Sequence, residues 1–171
     1  MINFEIYNFL FYQDFFIRIN LISCLCKSYR NGPFFYLSKL ESAKEAEFWN
    51  EVFTWTEDNL KLPYGSIKAC ILIENILAAF EMEAMLYNIK DHAIGLNCGM
   101  WDYSASILAY FGHRPEFVLP DRHSYVNINA KFMRAYYAKV QQSIFQCFVK
   151  IFFALKGIIR NRKPNFFFII E

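Results

Sequence analysis

Short apolar runs that alternate with stretches of helical spacing constrain the fold of this chain more than any other feature. The run SIKACILIE (66–74) is almost continuously apolar, which is typical of a strand covered on both faces. A second such run is AIGLNCG (93–99), and a shorter one, FFYLSK (34–39), follows the turn signal NGP. We therefore predict three β-strands in the middle of the chain.

The stretches between and after these runs have the spacing of amphipathic helices. Ser42 and Glu45 fit a capping box at the start of the first helix, and LPYG (62–65) ends it. A short helix is predicted over 104–111, and a longer one over 129–144. The apolar residues that indicate the three longer helices are Phe48, Trp49, Val52, Phe53 and Leu60, then Leu77, Phe80, Ala84 and Tyr87, then Phe132, Met133, Tyr136, Val140 and Ile144.

The resulting order, β-α-β-α-β-α, favours parallel strand pairing and an α/β fold. About three βα units fit part of a doubly wound sheet or an arc of a (β/α)₈ TIM barrel. A complete barrel needs about 250 residues, so a chain of 171 residues can hold only part of one.

Composition excludes several classes of protein. The apolar fraction of 56% is high, but charged residues interrupt every long apolar run, so no membrane-spanning helix is predicted. A net charge of +2 gives no indication of a nucleic-acid partner. The five cysteines form no CxxC pair and the three histidines lack metal-ligand spacing, so we expect a reduced, intracellular protein whose compartment the sequence does not distinguish.

The two ends differ from the middle in composition. Most of the 20 Phe lie in residues 1–31 and 144–171, together with many Ile, Asn, Lys and Tyr. AT-rich codons specify these amino acids, and the hypothesis is that both ends are translated non-coding DNA. The alternative is that they form apolar helices packed on the middle. We therefore divide the chain into 1–31, 32–143 and 144–171.

Two acidic residues follow neighbouring predicted strands. Glu74 ends the run 66–74, and Asp102 comes just after the run 93–99. The carboxyl ends of parallel strands meet at one edge of a sheet, where functional groups collect. Two carboxylates suit Mg²⁺, and Gly99 would let the backbone approach an anion closely. The alternative is that both acids interact with helix N-termini.

Several separate motifs in residues 32–143 resemble the malate synthase family, in its shorter eukaryotic and bacterial form. They are GPFFYLSKLES, the run from SIKACILIEN to KDHAIGLNCGMWDY, and then FVLPDR and FMRAY. The chain departs from the family pattern at Met100, where Arg is usual, at Ser38, where Pro is usual, and at Ser104-Ala105.

The resemblance implies a (β/α)₈ barrel that uses Mg²⁺ to condense acetyl-CoA with glyoxylate, giving malate in the glyoxylate cycle. Glu74 and Asp102 match the family's two metal-ligand carboxylates. Backbone N–H groups around Gly99, Trp101 and Asp102 match the loop that receives the glyoxylate carboxylate. The polar stretch 90–103 would then hold a small anion beside the metal.

The family also uses an upstream Arg and a downstream Asp as catalytic residues, and no residue of this chain matches either. We therefore expect an incomplete and inactive fragment with no catalytic residue of its own, with no nucleic-acid or membrane partner, and of unknown oligomeric state. Alternatives are a non-catalytic product of a decayed gene, or another Mg²⁺-dependent barrel lyase acting on acyl-CoA or 2-oxo acids.

Other conspicuous residues are given structural roles. His92 is interpreted as a hydrogen-bonding residue at the turn before the third strand, and Cys98 as a small residue at the edge of the core. Phe48, Trp49 and Phe53 are interpreted as core packing.

Overall fold

A computed structural model describes residues 33–121, 125–127, 129–155 and 167–170. The strands and helices alternate along the chain. Their bounds are β1 Phe34–Leu37, α1 Ala43–Leu60, β2 Lys68–Ile73, α2 Ala78–Asn88, β3 Ala93–Cys98, α3 Met100–Phe111, a 3₁₀ turn Pro115–Phe117, α4 Lys131–Leu155 and β4 Phe167–Ile170.

The four strands form one parallel sheet in the order β1-β2-β3-β4. Phe34 pairs with Lys68, Leu72 with Asn97, and Gly95 with Phe167. Strands that are consecutive in sequence are thus neighbours in space, as in a barrel wall. The parallel pairing and the order of the predicted elements are confirmed. The sequence did not predict β4, which adds a fourth strand beside β3, and the described sheet is an open arc whose outer strands are β1 and β4.

Helices α1, α2 and α4 pack together against this sheet. Helix α1 packs against α2, α2 against α4, and α4 against β3. The core between them and the sheet contains fully buried large side chains, because β2 and β3 direct alternate apolar residues toward the helices. These side chains are Phe53, Ile67, Ile71, Ile73, Met82, Met85, Ile89, Leu96 and Met133. The interpretation of Phe53 as core is confirmed, and Trp49 packs against it with ring centroids 5.6 Å apart.

Helix α2 lies where the sequence predicts it, but the residues that indicate it lie on its outer face. Phe80 is 74% exposed, and Leu77 and Tyr87 are also exposed. The buried face carries Met82 and Met85 instead. The helix is apolar on both faces, so spacing alone could not select the face that packs.

The capping box predicted for α1 does not form. Ser42 is the N-cap residue but makes no side-chain capping hydrogen bond within the described chain. The first-turn N–H of Ala43 donates instead to Glu81 Oε2 of α2 at 2.7 Å. Glu45 accepts a hydrogen bond from the N–H of Glu41 at 2.6 Å, which fixes the chain just before the helix. Contact with α2 thus replaces the local cap.

Two helices are longer than predicted. Helix α3 begins at Met100 rather than at Ser104. Helix α4 begins at Lys131 rather than at residue 129 and continues past residue 144 to Leu155. Residues 1–31 lie outside the described residues, and of 144–171 only 144–155 and 167–170 are described. None of the helices in the described part of the chain combines the length and the hydropathy that a bilayer-spanning helix requires.

Candidate functional site

The two predicted carboxylates lie at the carboxyl edge of the sheet. Glu74 directly follows β2 and is only 5% exposed. Asp102 lies in the first turn of α3, just after β3, and its side chain is 51% exposed. Parallel neighbouring strands bring both residues to the same edge, as the sequence analysis predicts.

Lys39 joins these two carboxylates. Its backbone N–H donates to Glu74 Oε1 at 2.7 Å. Its ammonium Nζ donates to Asp102 Oδ2 at 2.5 Å and lies 3.5 Å from Glu74 Oε2. Because Lys39 follows β1, the site takes one residue from the end of each of the first three strands. One positive charge lies within contact distance of both carboxylates.

Burial and neighbouring charges shift the pKa values of these groups in different directions. Burial raises the pKa of the Glu74 carboxyl above its ordinary value, and the adjacent Asp102 carboxylate raises it further. The hydrogen bond from Lys39 lowers the pKa of Asp102, and the same bond raises the pKa of Lys39. Ionisation of the Glu74 carboxyl therefore costs free energy unless a cation lies beside it.

Gly99 allows the start of α3 to lie against Glu74. A Cβ atom at Gly99 would lie 2.7 Å from Glu74 Cβ and 3.2 Å from Glu74 Oε2. Gly99 is the N-cap residue of α3, and its carbonyl accepts the N–H of Tyr103 at 3.0 Å. The N–H groups in the first turn of a helix point out of its end and favour anions. The positions of Gly99, Trp101 and Asp102 are therefore suited to a small anion beside the carboxylates.

The alternative that both acids interact with helix N-termini holds only for Asp102. The turn before α2 is held by Asn75, whose Oδ1 accepts the N–H of Leu77 at 2.8 Å. Glu74 instead accepts the N–H of Lys39, which lies at the end of a different strand. Asp102 does occupy the first turn of α3, where a negative charge is favourable.

The donor set fits a hard divalent cation with few protein ligands. No group of three or more His, Cys, Asp or Glu side chains close enough to hold a metal occurs among the described residues. Mg²⁺ is commonly held by one or two carboxylates, with water and substrate as its other ligands. The ammonium of Lys39 already shows that a cation between Glu74 and Asp102 contacts both.

The structural role predicted for His92 is confirmed. Its ring is fully buried, with Nδ1 2.9 Å from Asn50 Oδ1 and Nε2 3.3 Å from Glu57 Oε2. Glu57 also accepts the backbone N–H groups of Gly65 at 2.8 Å and Ile67 at 2.7 Å. This network joins α1 to the start of β2 and to the turn before β3. Its role is structural.

Cys98 is fully buried rather than at the edge of the core. Burial raises the pKa of its thiol to about 12, so the thiol is protonated and unreactive at neutral pH.

Sequence reasoning missed two residues of the carboxyl edge. Lys39 follows β1 just as Glu74 follows β2, so its position after a predicted strand could have indicated it. Asn97 is fully buried, and neither polar atom of its amide has a hydrogen-bond partner among the described residues. Nothing in the spacing of β3 indicates that this side chain lacks a partner.

Comparison with known proteins identifies the family. The family model described as malate synthase, TIM barrel domain, matches residues 5–164. The chain belongs to the malate synthase family. The matched range is wider on both sides than residues 32–143, which carry the motifs.

Three relatives illustrate the similarity. Malate synthase of Streptomyces clavuligerus is 52% identical over 61% of this chain and 19% of its own length. Malate synthase of Dictyostelium discoideum is 42% identical over 78% of this chain and 24% of its own length. The bifunctional glyoxylate cycle protein of Caenorhabditis elegans is 46% identical over 64% of this chain and 11% of its own length. The chain thus spans a quarter or less of the length of these relatives.

Proposed function

We propose that residues 32–143 form the magnesium- and glyoxylate-binding part of a malate synthase active site. The reaction of the whole barrel would be the condensation of acetyl-CoA with glyoxylate and the hydrolysis that gives malate and CoA. The observation that carries this proposal is the meeting of Glu74 and Asp102 around one cation, beside the N-terminus of α3.

Glu74 and Asp102 would hold the metal. A bound Mg²⁺ would act as a Lewis acid toward the glyoxylate aldehyde. The first turn of α3, around Gly99, Trp101 and Asp102, would bind the glyoxylate carboxylate through backbone N–H groups. The N–H of Lys39 would fix one oxygen of Glu74, so that the other remains directed toward the cation.

The reaction needs catalytic groups in addition to Glu74, Asp102 and the first turn of α3. The resemblance implies an Arg that stabilises developing negative charge and an Asp that removes a proton from acetyl-CoA, and no residue of this chain matches them. Loss of a proton-transfer group typically costs about 10²–10⁴-fold in rate. We therefore propose that the 171-residue chain binds Mg²⁺ and glyoxylate but does not turn over acetyl-CoA.

Two alternatives make different predictions. A non-catalytic product of a decayed gene need not bind glyoxylate at all. Another Mg²⁺-dependent barrel lyase would bind a 2-oxo acid other than glyoxylate at the same carboxylates. The start of α3 lies directly beside Glu74, which places helix N–H groups next to the carboxylates and supports a small anionic substrate such as glyoxylate.

The test is calorimetric titration of the full chain with MgCl₂, with and without glyoxylate. We expect Glu74→Gln and Asp102→Asn each to weaken Mg²⁺ binding by at least about tenfold. Glu51→Gln, an exposed change in α1, should leave it unchanged. Mg²⁺ binding that is the same in wild type and Glu74→Gln would contradict the proposal, as would glyoxylate binding that does not depend on Mg²⁺.

For the ends of the chain, we propose that residues 1–31 and 144–171 are not original parts of the barrel, on the basis of their Phe- and Ile-rich composition. The alternative is that they belong to the fold, and the family match extends into both ends, to residues 5 and 164. Transcripts spliced at the codons for Gly32 and Ser143 would support the proposal, and transcripts that encode all 171 residues would contradict it.

A further inference from the structure

The ammonium of Lys39 makes contacts that metal binding by Glu74 and Asp102 does not require. This ammonium lies between Glu74 and Asp102, and the Lys39 backbone has a positive φ of 61°, which is uncommon for a residue with a side chain. Backbone conformations of this kind persist where the surrounding structure holds them, often at functional sites. Here the conformation places both the N–H and the ammonium of one residue on the same pair of carboxylates.

We propose that Lys39 is a resident counter-cation, which holds Glu74 and Asp102 together without metal and leaves them when a divalent cation binds. This inference rests on the proposed function, because it concerns the same two carboxylates. It assigns to Lys39 a positioning role and not a catalytic one.

The distances make the ammonium and the metal mutually exclusive. The ammonium lies 2.5 Å from Asp102 Oδ2 and 3.5 Å from Glu74 Oε2. Mg²⁺ binds carboxylate oxygens at about 2.0–2.1 Å and demands a nearly complete octahedron of oxygen ligands. A cation bound by these two oxygens would occupy the space of Nζ, and the two positive charges would repel each other.

The ammonium can leave without disturbing the site. The Lys39 side chain is 65% exposed, so Nζ can move into solvent by rotation of its flexible stem. The hydrogen bond from the Lys39 N–H to Glu74 Oε1 belongs to the backbone and does not depend on where Nζ lies. Glu74 therefore stays in place while its counter-charge is exchanged.

Competition with Lys39 should weaken the binding of metal. Exposed ion pairs contribute about 0.2–1 kcal/mol. Removal of the ammonium should therefore tighten Mg²⁺ binding by about 1.4- to fivefold. The same change should lower the thermal stability of the metal-free chain, because two adjacent carboxylates would then lack their cation.

The first experiment uses the unaltered full chain. Lysines are acylated briefly with and without MgCl₂, and the extent of labelling at each site is measured by mass spectrometry. We expect Mg²⁺ to increase labelling of Lys39 and to leave the exposed Lys44 unchanged. Labelling of Lys39 that stays constant or falls when Mg²⁺ binds would overturn the inference.

The second experiment compares Lys39→Met with the matched control Lys44→Met by calorimetry with MgCl₂ and by thermal unfolding. If Lys39→Met binds Mg²⁺ more tightly than wild type and Lys44→Met does not, the result supports displacement of the ammonium by the metal. Weaker Mg²⁺ binding in Lys39→Met would overturn the inference. Lys39→Gln is a second variant that also removes the ammonium. If neither variant folds, the labelling experiment on the unaltered chain tests the inference by itself. If wild type binds Mg²⁺ but Lys39 does not respond, only this inference fails. If no variant binds Mg²⁺, the proposed function fails with it.

Discussion

Gly99 and Glu74 lie so close together that no side chain fits between them: a Cβ atom at Gly99 would lie 2.7 Å from Glu74 Cβ. The φ of Gly99, −86°, is accessible to any residue, so the reason for glycine here is space and not backbone conformation. The close approach brings the first turn of α3 next to the candidate metal ligand.

Gly99→Ala is therefore expected to displace Glu74 and to destabilise the chain by about 1–3 kcal/mol, as overpacking does in tight sites. Mg²⁺ binding should weaken at the same time, because the two carboxylates would no longer converge. Urea unfolding and calorimetry measure the two effects. A stable variant with unchanged Mg²⁺ affinity would show that Mg²⁺ binding does not need the close contact between Gly99 and Glu74.

Glu57 should make stability depend on pH below its ordinary pKa of 4.5. Burial raises its pKa, but hydrogen bonds from His92, Ile67 and Gly65 outweigh burial, and the net pKa is lowered. A carboxyl whose pKa is lower in the folded state stabilises the fold above pH 4.5, and this contribution is lost as the pH falls through the folded value.

We therefore expect Glu57→Gln to be less stable than wild type at neutral pH, with the difference shrinking as the pH falls below 4.5. Urea unfolding at a series of pH values measures this. The exposed change Glu51→Gln in the same helix should show no such trend. A difference that is constant from pH 7 to pH 3 would contradict the role of Glu57 ionisation.

Asn97→Leu should stabilise the chain. The buried amide of Asn97 has no hydrogen-bond partner in the described part of the protein. Burial of such a group costs about 1–3 kcal/mol, which a leucine of similar size would avoid. The control is Asn88→Leu, which should destabilise because Asn88 Nδ2 donates to the carbonyl of Ala43 at 2.9 Å. Destabilisation by Asn97→Leu would indicate that the amide is needed in the folded chain.

Tyr136→Phe should destabilise the end of β2. The buried Tyr136 hydroxyl donates to the carbonyl of Ile73, the residue directly before Glu74, and its ring stacks on Tyr103 at 3.9 Å. Loss of the hydroxyl leaves that carbonyl unsatisfied, at a cost of about 1–3 kcal/mol. Thermal unfolding should show this loss, while the exposed change Tyr110→Phe should be nearly neutral. Equal stability of the two variants would argue against the hydrogen bond.

The sequence was sufficient to predict the order of β1 to β3 with their helices, though not β4, and the meeting of Glu74 with Asp102. Both follow from periodicity and from the rule that parallel strands end at one edge. The packed face of α2 was not predictable, because Leu77 and Phe80 are as apolar as Met82 and Met85. Which side of that helix is buried depends on its packing against both α1 and α4, and α4 lies far away in sequence.

The partners of individual polar side chains could not be predicted from local patterns in the sequence. The contact between Lys39 and Asp102 spans 63 positions, and that between His92 and Glu57 spans 35. No local pattern encodes partners at such separations. The capping box at Ser42 failed for the same reason, since Glu81 of another helix binds the N–H of Ala43.

The long sequence separations within the site also determine when it can form. A contact between distant positions stabilises the chain only after the entropy cost of closing the intervening loop has been met. Such contacts therefore form slowly and late in folding. The three residues from the ends of β1, β2 and β3 can meet only when those strands are already aligned. A bound cation would then contribute after the rate-limiting step, and it would slow unfolding while leaving the refolding rate almost unchanged.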